Sequence, residues 1–240
     1  MKKIIYSTII MLLISVMLIS SYFLYKNQKD DKIQENIFEN LTKIEVNTEE
    51  KQENIINIDE LYSINNDIVG WLKIEDSNIN YPVMQTKNSP NYYLKRNFYK
   101  EYSNCGTPYI AEYCDIEKSD NVIIYGHHIK GNKIFGELEN YKKEEYYKNH
   151  KIIKFYTKDK CEEYEIIAVF KTIAYTGFNY YKFYNAQDEG EFDAFINKCK
   201  ELSFYEIERT AIYGDKLLTL STCEYSNTNG RLVVVARKII

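Results

Sequence analysis

The chain has 240 residues, with 31 Lys and Arg against 35 Asp and Glu, a formal net charge of −4, and charges of both signs interspersed along its length. That balance offers no basic patch to nucleic acid. The three histidines (His127, His128 and His150) lack zincin or zinc-finger spacing, and the five cysteines contain no Cys-x-x-Cys, so the common metal and dithiol motifs are excluded.

Ile4 to Tyr25 carries no charge over 22 residues. As a helix this run is about 33 Å long, enough for a hydrocarbon core of about 30 Å. Lys2 and Lys3 precede it, which places the N-terminus in the cytoplasm and the bulk of the chain outside. A cleaved signal peptide is the competing reading, but its apolar core would be roughly 7–15 residues and end at small residues; Ser20-Ser21-Tyr22 fits poorly. Residues 1–25 therefore read as a cytoplasmic tip and a single transmembrane anchor. Residues 26–56 are polar, with Ile33, Ile37, Phe38, Leu41 and Ile44 at weak helical spacing. They read as a partly helical extracellular stalk that lifts the body off the membrane. An exported chain with an odd number of cysteines leaves at least one thiol free.

Residues 57–240 form the body, long enough to bury about 70% of its unfolded surface without disulfides or metal. Leu61, Ile64, Ile68 and Trp71 recur at helical spacing and predict a short helix running into a strand near Gly70. "GWLKIEDSNINYPVMQ" predicts two strands joined by Glu75–Asn78, with Pro82 at an edge or bulge. A strand is expected around Pro108–Tyr113, and "DNVIIYGHH" is an apolar run ending at Gly126 and two histidines. Ile134, Leu138 and Tyr141 predict a helix, His150 opens the next strand, and "KIIKFYT" and "CEEYEIIAVFKTIAY" read as paired strands. Phe192, Phe195, Ile196, Cys199 and Leu202 then mark an amphipathic helix over 188–203, with acidic residues in its first turn. "DKLLTLSTC" and "RLVVVARKII" close the chain as strands. About eight strands with peripheral helices predict a mainly β fold, a closed or nearly closed barrel.

Cys223, His127 and Arg231 each lie at a strand end, and strand ends cluster at a barrel rim. A free thiol is only about 3% thiolate at pH 7. An imidazole within reach can take its proton, and an arginine can hold the oxyanion that forms when the sulfur attacks a carbonyl. Taken singly, each residue reads as well as core, turn or solvated surface.

The local sequences narrow the choice. "TLSTC" at 219–223, Arg231 shortly after it and "VIIYGHH" at 122–128 resemble the motifs of the sortases, the membrane-anchored cysteine transpeptidases of Gram-positive bacteria. "NNDIVGWLKIEDSNINYPVMQ" at 65–85 is similar to that family's first strands. The resemblance covers about residues 57 to 240 and implies an eight-stranded sortase-type β-barrel. The helix near 188–203 and the helical segment before Gly70 are most like class B sortases; no second apolar span follows the barrel, unlike class C.

The resemblance implies that Cys223 attacks a sorting signal of the Leu-Pro-x-Thr-Gly or Asn-Pro-x-Thr-Asn kind in an exported protein. It implies that His127 moves the protons and Arg231 holds the oxyanion, with backbone amides near Cys223 as further donors. The acceptor would be an amine of the peptidoglycan cross-bridge or its lipid-linked precursor; no cofactor or metal is called for. Ser221 shares a strand face with Cys223 and is a candidate substrate contact, as are Thr222 beside it on the other face and Glu224 as an orienting group. Tyr181, with Tyr180 and Phe183, is a candidate for the groove wall, or packs as an ordinary aromatic. His128 faces away from His127 and reads as surface or packing. Cys105 and Cys114 are the one pair within reach of a disulfide, with two free thiols as the alternative. A thiol hydrolase that uses water, and a non-catalytic wall- or pilus-associated barrel, are the competing functions.

Overall fold

A computed structural model describes residues 2–43 and 57–239. Helices α1 (Lys2–Thr42) and α2 (Ile58–Ile64) precede strands β1 (Ile68–Lys73), β2 (Asn80–Met84), β3 (Tyr109–Ile110) and β4 (Asn121–Tyr125). A small hairpin of β5 (His128–Ile129) and β6 (Lys133–Ile134) leads through a 3-10 turn, Gly136–Lys142, into α3 (Glu144–Asn149). The remaining elements are β7 (Ile152–Tyr156), β8 (Cys161–Ile173), α4 (Glu189–Leu202), β9 (Leu217–Cys223) and β10 (Gly230–Lys238). Eight strands close into the expected barrel in the order β1-β2-β3-β4-β9-β10-β8-β7. Neighbours are antiparallel except β2–β3 and β4–β9.

The unbroken apolar run of β10 follows from burial on both faces. Leu232, Val234 and Ala236 point into the barrel core, whereas Val233 and Val235 join a second core outside it. β8 divides in the same way, with Ile166 and Val169 inside and Ile167, Ala168 and Phe170 outside. α4 covers this outer face with Phe192, Phe195, Ile196 and Cys199, the residues its helical period singles out. Asp188 caps the helix by accepting the Glu191 N–H at 2.9 Å. Each such large side chain removed from water contributes roughly 1.5–3 kcal/mol, so α4 is firmly seated on the back of β8 and β10.

Several expectations change in detail. α1 runs without a break past residue 25 to Thr42, and its last turns pack on the barrel: Phe38 and Leu41 are buried, and Gln34 donates to the Gly106 carbonyl at 3.1 Å. Asp30 accepts the Asn104 N–H at 2.7 Å, and Glu35 pairs with Lys133 at 3.0 Å. The part of the expected stalk over 44–56 lies outside the described residues. The single helix expected after Ile134 is divided because Lys143 adopts extended backbone between the 3-10 turn and α3. Gly136 lies so close to the Ile129 carbonyl that a side chain there would collide with it. His150 caps α3 instead of opening β7. Cys105 donates to Asp31 at 3.1 Å and Cys114 to the Asn121 carbonyl at 3.6 Å, each a free thiol with its own partner.

Candidate active site

Cys223 ends β9 and lies directly opposite Arg231 at the start of β10. The Glu224 N–H donates to the Gly230 carbonyl at 2.9 Å, one residue beyond this pair. That pattern makes Cys223 and Arg231 a non-hydrogen-bonded pair, in which facing Cα atoms are about 4.5 Å apart and side chains share one face. Ser221 and Val233, the next pair on this face, belong to the outer side that α4 and its preceding loop cover. The thiol and the guanidinium therefore project outward from the barrel, beneath that loop.

His127 arrives from β4, which runs parallel to β9 and pairs Tyr125 with Ser221. The ladder ends with Gly126 donating to the Ser221 carbonyl at 3.1 Å. A Cβ on Gly126 would come within 2.6 Å of the Phe135 ring, so glycine lets the backbone pass close to that ring where the ladder ends. Its Nε2 lies 2.7 Å from the Leu94 carbonyl. A carbonyl only accepts, so Nε2 carries the hydrogen and the neutral ring has Nδ1 free as a base. Burial, the largest effect, lowers the His127 pKa below its ordinary 6.5; the Leu94 carbonyl opposes this and Lys95 reinforces it. Neutral imidazole is thus favoured down to lower pH than usual. A proton titration of the His127 ring signals is expected to show a midpoint below 6.5; a midpoint at or above 6.5 would refute burial as the dominant influence. By linkage, this contribution to stability is present above pH 6.5 and is lost as pH falls through the lowered value.

Cys223, His127 and Arg231 line one cavity of about 490 Å³ together with Ser221, Thr222 and Tyr181. Tyr180 also lines it, and its hydroxyl is 2.6 Å from the Ser221 hydroxyl. Thr222 donates to the Gly126 carbonyl at 2.8 Å, tying the end of β9 to the turn that carries His127. Tyr113 donates to the Tyr181 carbonyl at 2.7 Å and therefore receives the Tyr125 hydroxyl, 3.1 Å away. These bonds tie Tyr113, Tyr125 and Tyr181 together in the wall of the cavity. Phe183 is not part of that wall: it stacks on Phe195 at 3.9 Å in the second core.

Glu224 does not line the cavity. It is buried beside the β9–β10 loop, where its carboxylate pairs with Lys142 at 2.7 Å and accepts the Ser226 hydroxyl at 2.6 Å and N–H at 3.1 Å. Burial works to raise its pKa, but the bonds from Lys142 and Ser226 outweigh it and bring the value to about 2. The loop is thereby pinned at its start, and Gly230 is pinned at its end by donating to the Asn227 carbonyl at 3.1 Å. Glu224→Gln is expected to cost roughly 1–3 kcal/mol, a fall of several degrees in Tm. Because the folded pKa lies below the ordinary 4.5, the stabilisation is complete above pH 4.5 and is lost as pH falls towards 2. Thermal melts across that range should show a smaller acid loss in the variant, and identical acid profiles would contradict the role.

The sequence reading missed two contacts: the Leu94 carbonyl on His127, and His128, whose Nδ1 lies 3.0 Å from the Cys223 carbonyl. The Gly-His-His doublet was the available signal for the second. Expecting the two rings on opposite faces assumed that β4 continues past Gly126, and it stops at Tyr125.

A sortase-domain family model matches residues 72–239. The chain is 32% identical to sortase B of Staphylococcus aureus over 233 residues, 95% of this chain and 94% of that protein. It is 30% identical to sortase B of Listeria monocytogenes over 220 residues, covering 90% and 87% of the two chains. A structure of the Staphylococcus aureus sortase B–substrate complex superposes with a TM-score of 0.76 at 29% identity, covering 90% of this chain and 98% of that one.

Proposed function

The chain belongs to the sortase family of cysteine transpeptidases, and we propose that it transfers exported proteins from a sorting signal to an amine of the cell wall. Cys223 Sγ attacks the carbonyl carbon of the signal's threonine while the thiol proton passes to His127 Nδ1. The tetrahedral oxyanion rests on Arg231. His127 returns the proton to the leaving nitrogen, the C–N bond breaks, and a thioester to Cys223 is left. An incoming wall amine then attacks the thioester, gives a proton to His127, and expels the thiolate, which is reprotonated. One amide bond is exchanged for another, with no net redox change.

The observation that carries this reading is the facing Cys223–Arg231 pair in one cavity with His127. Ser221, Thr222 and Tyr181 line the same cavity and are the proposed substrate contacts. That a similar sortase B has been solved as a substrate complex supports reading this chain as a substrate-binding enzyme of the same kind. The exposed apolar side chains of Ile4 to Tyr25 on α1 suit a single membrane span, with the N-terminus in the cytoplasm and the barrel outside.

The full chain in detergent is incubated with Leu-Pro-x-Thr-Gly, Asn-Pro-x-Thr-Asn and Ser-Pro-x-Thr-Gly peptides, with and without an amine. A thioacyl adduct on Cys223 by mass spectrometry, converted to the amide product only when amine is added, is the expected outcome. No adduct with any peptide would sink the proposal, and amine-independent peptide release would identify a hydrolase.

A further inference from the structure

We propose that His128, the second histidine of the doublet, is a positioning residue that holds the nucleophile through its own main chain. In the parallel β4–β9 ladder the last regular bond runs from the Gly126 N–H to the Ser221 carbonyl. Were the ladder to continue, the next bond would join the main-chain N–H of His128 to the carbonyl of Cys223. The strand stops at Tyr125, so that bond is not made. The ring of the same residue takes its place, with Nδ1 3.0 Å from the Cys223 carbonyl.

The tautomer follows from the partners. Nδ1 faces the Cys223 carbonyl and, at 3.7 Å, the Glu139 carboxylate, both of which only accept. Nδ1 therefore carries a hydrogen. Glu139 is held in turn by Lys142 at 2.8 Å, and Lys142 also reaches Glu224 at 2.7 Å. Glu224 is the residue joined to Cys223 by the peptide bond whose carbonyl His128 holds. The contacts thus close a ring: Cys223, His128, Glu139, Lys142, Glu224 and back to Cys223. Tyr225 packs edge-on against the His128 ring, with centroids 5.1 Å apart.

The consequence is rotational. Cys223 is the last residue of its strand, and on the side away from β10 its carbonyl has no ladder donor. A fixed donor there sets the plane of the Cys223–Glu224 peptide. That plane orients both the base of the thiol side chain and the Glu224 N–H, which closes the loop to Gly230. A displacement of about 1 Å at a reacting atom can cost about a hundredfold in rate. Removing the donor should therefore lower kcat by roughly 10- to 100-fold with little change in KM, since His128 does not line the substrate cavity.

This role presupposes the acyl-transfer chemistry proposed above, so its test has one readout independent of turnover. The full-length protein in detergent is compared with H128L, H128N and H128Q. Asparagine places an amide nitrogen at the same bonded distance from the backbone as Nδ1, whereas the glutamine amide lies one carbon further out. In transpeptidation assays H128N is expected to recover most of kcat, while H128L and H128Q stay low at near-normal KM and Tm. If H128L does not fold, the asparagine–glutamine contrast carries the result. Three variants equal to wild type, or three equally impaired, would overturn the proposal. Independently, long-range nitrogen–proton NMR correlation above pH 7.5 should show His128 as the Nδ1–H tautomer. Finding Nε2–H would overturn it even if the wild-type enzyme transferred nothing, whereas an Nδ1–H ring in an inactive wild type would count against the transpeptidase reading alone.

Discussion

Cys223→Ala is expected to remove the thioacyl adduct and to lower turnover by on the order of 10⁴-fold or more, with the fold intact. No other thiol can stand in for it. Cys105, Cys114 and Cys199 are buried, and burial pushes each thiol up, Cys114 to about 11. Cys161 opens β8, whereas Arg231 pairs with Thr172 near its far end, 172 − 161 = 11 residues away. At about 3.3 Å per residue that is roughly 35 Å from the site. Cys223 itself is only half-buried at a strand end, so losing one sulfur leaves no core cavity. The measurement is intact-mass analysis after incubation with sorting-signal peptides, alongside a thermal melt. Peptide cleavage that persists in the alanine variant would exclude Cys223 as nucleophile and favour the non-catalytic reading.

Arg231→Ala should lower kcat by about 10²–10³-fold, the usual cost of losing a principal oxyanion donor. The size of the effect rests on what else is available. The Glu224 N–H, next to the nucleophile in sequence, is already given to the Gly230 carbonyl at 2.9 Å. The Ser221 and Tyr180 hydroxyls are bonded to one another, which leaves a single neutral O–H between them. Arg231 spends one N–H on the Gly230 carbonyl at 2.9 Å and has the rest of its five donors to offer. Its charge is felt in the cavity wall: burial pushes the Tyr180 hydroxyl up to about 12, and Arg231 opposes that rise. Arg231→Lys should recover little, because an ammonium lacks the planar fork and is more strongly hydrated. Single-turnover acylation rates give the test. A loss of less than about threefold in Arg231→Ala would show that backbone amides carry the oxyanion instead.

Much of this was legible in the chain because it depends on local pattern. A strand alternates faces and a helix repeats every 3.6 residues, so α4 was readable from Phe192, Phe195, Ile196 and Cys199 alone. The long apolar N-terminal helix was readable from an uncharged run longer than a soluble helix needs. Cys223 and Arg231 are eight residues apart, and antiparallel pairing of adjacent strands is the simplest consequence of a short loop between two apolar runs. Gly126-His127 at the end of a strand supplied the third member.

What the chain did not disclose depends on residues far apart in sequence. Glu224 looked like a substrate contact, and its true partner Lys142 lies 82 residues away. His128 read as surface or packing, and not as a partner of Cys223, because nothing local says that β4 stops at Tyr125. The Leu94 carbonyl that fixes the His127 tautomer belongs to a short 3-10 turn, Tyr92–Lys95, with no motif of its own. The sequence by itself singled out the proposed nucleophile, base and cation, since Cys223, His127 and Arg231 are marked by residue type and short-range order. Only the tertiary structure decided how those atoms are aimed, because orientation is set by hydrogen bonds from whichever groups the closed barrel brings alongside.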